Sequence, residues 1–230
     1  MKLSRILLGT LSSMLTISCL LPLAVAEPGK GNDGRAGSWR KGTQGAPDLK
    51  AARARVEKNP KDADALNDLG FALRQNGKLD EAEKYLKQAI EQKPELGQAH
   101  VNLSVVYYDQ SKFNDALSEA QKAVKIDANQ AIFRVVLGNA LSKTGDLKGA
   151  AQEYKVAIHL QPDYENAHYN LGRVLNEDGQ VTDAKFALSK ALELDPNDER
   201  VLAILDKLEQ GESGKTPAAK AGKPKSAASK

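Results

Sequence analysis

The 230-residue sequence has one cysteine, Cys19, and none after it. A chain starting at Glu27 would hold no disulfide and no thiolate metal site, so its stability must come from packing alone. Tryptophan is equally scarce. Trp39 stands by itself within Gly37-Ser38-Trp39-Arg40-Lys41, and one aromatic in a linker does not make a docking site. No nucleophile elbow, zinc-protease helix or catalytic spacing of carboxylates occurs, so enzyme activity is not expected, nor is a cofactor. The formal net charge is only +3, and no nucleic-acid partner is expected.

What the sequence does have is a period. Pro60, Pro94, Pro162 and Pro196 are spaced in multiples of 34 residues, and Ala128 holds the one place where a proline is missing. Such recurrence marks a stacked repeat array, not a single globular core. The units are 63–96, 97–130, 131–164 and 165–198. Their eighth positions are all small: Gly70, Ser104, Gly138 and Gly172. Leucine precedes each one, as Leu69, Leu103, Leu137 and Leu171. Alanine recurs at the twentieth position (Ala82, Ala116, Ala150, Ala184) and at the twenty-seventh (Ala89, Ala123, Ala157, Ala191). Small residues at fixed places let two helix backbones approach closely, with the leucines filling the space between. Asn76-Gly77, Thr144-Gly145-Asp146 and Asp178-Gly179 supply turns whose glycines suit a left-handed helix end. The prolines then stop the second helix. Each unit reads as helix–turn–helix.

The fourth unit contains Ala167-His168-Tyr169-Asn170-Leu171-Gly172, then Ala184, then Ala191-Leu192-Glu193-Leu194-Asp195-Pro196-Asn197. In these residues the chain resembles the tetratricopeptide repeat (TPR) family over 63–198. The resemblance implies an all-α, right-handed α-solenoid with four repeats. Three departures stand out: the family's large aromatic at the fourth position is replaced by Leu66, His100, Arg134 and His168, and repeat two has Ser104 for glycine and Ala128 for proline. These substitutions are expected to weaken local packing. Residues 199–210 place Val201, Leu202, Leu205 and Leu208 on one face, as a terminal cap requires. Residues 47–62 read as an N-terminal half repeat, with a thin apolar stripe of Leu49, Ala52 and Val56, and hence a less well sealed edge.

The first 26 residues have the form of a secretory signal peptide: basic Lys2 and Arg5, an apolar run from Ile6 to Leu23, and Ala24-Val25-Ala26 before a polar stretch. Two alternatives stay open, a lipoprotein processed at Cys19 and an uncleaved N-terminal anchor. All three export the repeats, so a periplasmic or otherwise extracytoplasmic setting is expected. Residues 47–210 carry 22 basic and 27 acidic side chains, whereas the flanks 27–46 and 211–230 have net charges of +2 and +4. Both flanks are poor in apolar periodicity and are read as disordered. The Lys-rich tail is chiefly a solubilising extension, with weak contact to an anionic envelope surface as the sharper alternative.

Two features resemble chemistry without supporting it. Gly211-Glu212-Ser213-Gly214-Lys215-Thr216 lacks the first glycine of a phosphate-binding loop, which would stand at Glu209, and the strand that should precede it. His100 and His168 lie two repeats apart, too far to share an ion, and His159 falls on a second helix. All three histidines are read as structural.

The family resemblance implies that the first helix of each repeat lines a concave groove. Carried over, the partner-binding candidates are Asn67, Phe71 and Arg74 from repeat one, and Val101, Val105 and Tyr108 from repeat two. Repeat three adds Ile132, Val135 and Asn139, and repeat four Tyr169, Arg173 and Asn176. Their apolar and aromatic members would form an uncovered strip, which marks a partner site. The expected partner is a protein segment or helix, with the asparagine amides pairing to its backbone. Groove coverage by the chain's own cap or leading segment, and self-association, remain open. A chaperone-type carboxylate clamp is not expected, because Asn67 and Phe71 replace its Lys and Asn. The reading is a non-enzymatic scaffold of the cell envelope, with a tether acting through its basic tails as the alternative.

Overall fold

A computed structural model describes residues 48–213, which fall within one compact unit. The leader 1–26, the linker 27–46 and the tail beyond Ser213 lie outside the described residues. Among the described residues there are ten helices and no strand: α1 (Leu49–Lys58), α2 (Ala63–Gln75), α3 (Leu79–Gln92), α4 (Gly97–Asp109), α5 (Phe113–Ile126), α6 (Ala131–Thr144), α7 (Leu147–Leu160), α8 (Glu165–Glu177), α9 (Val181–Leu194) and α10 (Glu199–Ser213). The fold is an all-α repeat solenoid. α2 packs on α3, α4 on α5, α6 on α7 and α8 on α9, and each second helix also packs on the next first helix. The first helices further touch one another in series, a contact that the second helices do not make to a comparable extent. First helices therefore form the inner, concave layer.

The small eighth residue works as half of a pair with the twenty-fourth. A β-carbon on Gly70 would lie 2.5 Å from Leu86, and one on Gly172 would lie 2.6 Å from Leu188. On Gly138 it would lie 2.6 Å from the Tyr154 ring. In repeat two the sizes are exchanged: Ser104 holds the eighth position and the smaller Ala120 the twenty-fourth, both buried, and the Ser104 hydroxyl donates to the Ala116 carbonyl at 2.7 Å. Contrary to the expectation of weaker packing, the departure is compensated across the helix pair.

The missing proline is also replaced. Asp127 closes α5, its amide donating to the Ala123 carbonyl at 3.0 Å, while its carboxylate accepts from the Asn129 amide and from Gln130 Nε2, both at 2.9 Å. That local turn competes with helix continuation as proline does elsewhere. At the fourth position, polar side chains reach back to the end of the preceding repeat. The Pro94 carbonyl accepts from His100 Nε2 at 2.9 Å, the Ala128 carbonyl from Arg134 Nε at 3.1 Å and the Pro162 carbonyl from His168 Nε2 at 2.9 Å.

Both ends carry polar groups. α1 buries Ala52 and half-buries Leu49 and Val56, and its Arg53 and Arg55 pair with Glu81 and Asp68. In α10, Val201 and Leu208 are buried and Leu205 half-buried, but Leu202 is 41% exposed, so the expected four-residue stripe has three members. Asp206 stands where the repeats put their small eighth residue, 34 residues after Gly172, so a second helix could not nest there as Leu188 nests on Gly172. The helix continues three residues beyond the expected end at 210, with Gly211 inside it. The segment 211–213, expected to begin a disordered tail, is therefore helical.

Candidate functional site: the inner helix layer

The twelve residues expected to line the groove separate into two groups. Val101, Val105 and Val135 are only 2%, 7% and 1% exposed. They do not belong to an open strip. The first helices pack so closely in the middle of the array that these valines fill the seams between repeats. Val101 and Val105 cluster with Phe133 and Val136 of repeat three, and Val135 with Leu171 of repeat four. Asn67 and Arg74 are buried as well. Phe71, Tyr108, Ile132, Asn139, Tyr169, Arg173 and Asn176 are half-buried.

Nor are the amides and charges idle. Asn102 Nδ2 donates to Asn67 Oδ1 at 2.8 Å, and Arg74 Nε donates to Asp109 Oδ2 at 2.7 Å, each joining α2 to α4. The expectation that Asn67 binds a partner's backbone is thus corrected: its carbonyl oxygen already serves the neighbouring repeat. Between α6 and α8 the bond is Arg173 Nη2 to Ser142 Oγ, at 3.3 Å. The same face that could bind a partner is also part of the cement between repeats.

Tyr154 was not anticipated from the sequence. It lies on α7, a second helix, and its ring is fully buried. It crosses over Gly138, and its hydroxyl donates to Asn139 Oδ1 on the inner layer at 2.7 Å. Burial pushes its phenol well above the usual range, so it acts as a fixed neutral donor. The signal was available: repeat three alone has a large aromatic at the twenty-fourth position, opposite a glycine.

Of the half-buried residues, Tyr108 stands where aromatic and cationic side chains meet. Its ring meets Phe113 edge-on at 5.6 Å between centroids, and Lys143 Nζ lies 5.9 Å from its centroid. Burial raises the Tyr108 phenol, against the opposing charge of nearby Arg173. Tyr169, the other expected anchor, is roofed by the chain itself. The Arg200 guanidinium of α10 sits 4.5 Å from its ring centroid, held by Asp198 at 2.6 Å and Glu165 at 3.1 Å. The cap helix therefore covers one end of the expected strip.

Family models described as tetratricopeptide repeats match residues 61–129, 101–165 and 141–208, together spanning 61–208. Human tetratricopeptide repeat protein 6 is 30% identical over 144 residues; the match covers 63% of this chain and 28% of that protein, so the chain spans about a quarter of its relative. Among solved structures, TTC0263, a TPR protein of Thermus thermophilus, superposes with a TM-score of 0.62 at 21% identity, covering 70% of this chain and 89% of that one. YrrB, described as a TPR protein with an unusual peptide-binding site, gives 0.56 at 21% identity, covering 70% and 92%. These likenesses establish the fold, and TPR arrays are generally non-enzymatic protein–protein interaction scaffolds. The residue register, the helix pairing and the family matches agree: the chain belongs to the tetratricopeptide repeat family.

Proposed function

We propose that the chain is a non-enzymatic adaptor that receives a segment of a partner protein on its inner helix layer, centred on Tyr108. The observation that carries this reading is Tyr108 itself. It is a half-buried aromatic in the middle of the concave layer, with Lys143 and Arg173 beside it and, among the described residues, no cap-helix side chain over it, unlike Tyr169. Partly buried aromatics on a rigid platform are the usual anchors of protein interfaces. The structural likeness to YrrB, whose description names a peptide-binding site, supports the same reading. We further propose that the protein works outside the cytoplasmic membrane, in the cell envelope. That part rests on the basic, apolar and Ala24-Val25-Ala26 pattern of residues 1–26.

A photo-crosslinking residue at Asn176 on the inner layer should capture a protein segment in native envelope, and one at Gln152 on the outer face should not. Tyr108→Ala should abolish specific capture while leaving the helical melt nearly unchanged. Equal crosslinking from both positions would move the site off the inner layer. The mass of the protein isolated from the envelope tests export: a first residue of Glu27 is expected, and retention of residues 1–26 argues for the anchor.

A further inference from the structure

The charges around Tyr108 are incompletely paired. Lys143 is exposed and meets the faces of Tyr108 and Phe113, with no carboxylate in ion-pair range among the described residues. Arg173 donates to Ser142 Oγ, lies beside the Tyr154 phenol and meets the carboxylate of the exposed Glu177 at 3.5 Å. Arg74, whose side chain is 3% exposed, satisfies Asp109 through Nε and leaves Nη2 without an acceptor. The Tyr108 hydroxyl likewise makes no hydrogen bond among the described residues. A cationic cluster with spare donors thus stands on the inner face of a repeat block that carries more acidic than basic residues.

We propose that Lys143, Arg173 and the Tyr108 hydroxyl form a subsite for a side-chain carboxylate, so that the segment received by the groove is acidic. This rests on the groove reading above and narrows it. The two cations supply charge, the phenol supplies a neutral donor, and Phe113 with Tyr108 supplies an apolar wall that excludes water from the pair. Charge sign selects the occupant. The chain's own flanks, 27–46 and 211–230, are net basic and unsuited to this cluster, so an acidic segment of another protein fits best. The subsite differs from a chaperone-type clamp, whose first-repeat positions hold Asn67 and Phe71 here.

The test uses the whole chain and a membrane-bound array of nonapeptides of random sequence, each made with two glutamates and again with glutamines in their place. Retention of the glutamate member should exceed that of its twin by roughly tenfold, as expected for a partly desolvated charge pair, and the margin should shrink at high salt. Lys143→Glu should abolish or reverse the preference. Lys143 is exposed, and an unchanged circular dichroism melt would verify that the variant folds. If both twins bind equally and Tyr108→Ala removes both, the groove reading stands and the carboxylate subsite falls. If no peptide is retained, both fall. Self-association of the wild type in sedimentation, abolished by Lys143→Glu, would assign the cluster to a second copy and overturn the partner proposal.

Discussion

Repeats two and three build the same helical hairpin from opposite choices of side chain. Repeat three nests the large Tyr154 on Gly138, whereas repeat two has Ala120 and Ser104 at the same two positions. Repeat three leaves its first turn through Gly145 at φ 94°, and repeat two through Ser111 at φ 62°, a left-handed conformation that costs a non-glycine residue energy. At the fourth position, repeat three uses Arg134, bonded to Glu153 at 2.9 Å, and repeat two uses His100, bonded to Glu119 at 2.6 Å. The comparison shows that the fold constrains the sum of each pair, not its individual members. A departure from the family pattern is therefore best judged together with the residue it touches.

The largest test breaks the size pairing in repeat three. Tyr154→Ala should cost about 3–5 kcal/mol by opening a cavity and deleting the bond to Asn139. Gly138→Ser should cost about 1–3 kcal/mol by overpacking. Combined, the two recreate the arrangement of repeat two, and urea unfolding should show a cost well below the sum. Additive costs would refute the pairing.

A smaller effect separates the two repeats by pH. His100 lies between a carboxylate and a carbonyl, so both ring nitrogens find an acceptor when the ring is protonated. The bond to Glu119 raises its pKa, against the effect of burial. Its stabilisation is complete below the unfolded value of about 6.5 and is lost as pH rises through the raised folded value. Burial pushes Glu119 up, but bonds from His100 and Lys122 outweigh it and hold the group low, so its contribution disappears only as pH falls through that lowered value. The denaturation midpoint should therefore decline on the alkaline side in wild type and decline less in His100→Arg, which copies Arg134. Parallel pH profiles would show that the pair contributes nothing to stability.

The smallest effect concerns the turn. Ser111→Gly should stabilise by about 0.5–1 kcal/mol, since glycine adopts positive φ without strain. Gly145→Ser should destabilise repeat three by a similar amount, both read from thermal midpoints.

Much of this architecture was legible in one dimension. The 34-residue period, the alanine positions and the turn glycines required helical hairpins, because close helix approach and left-handed ends admit few residue types. The inner layer was legible only as a set of positions. Position alone could not show that Val101, Val105 and Val135 are sealed in the seams, since their burial depends on how tightly successive first helices approach. Nor could it show that Arg200, belonging to no repeat, closes over Tyr169, or that Tyr154 reaches the inner face from an outer helix. Periodicity is a local, repeated constraint, and sequence by itself determined the repeat, its pairing and its order. Which groove residues stay open is settled by contacts between residues some 30 or more positions apart, such as Arg200 on Tyr169 and Arg74 on Asp109, and only the tertiary structure decided it.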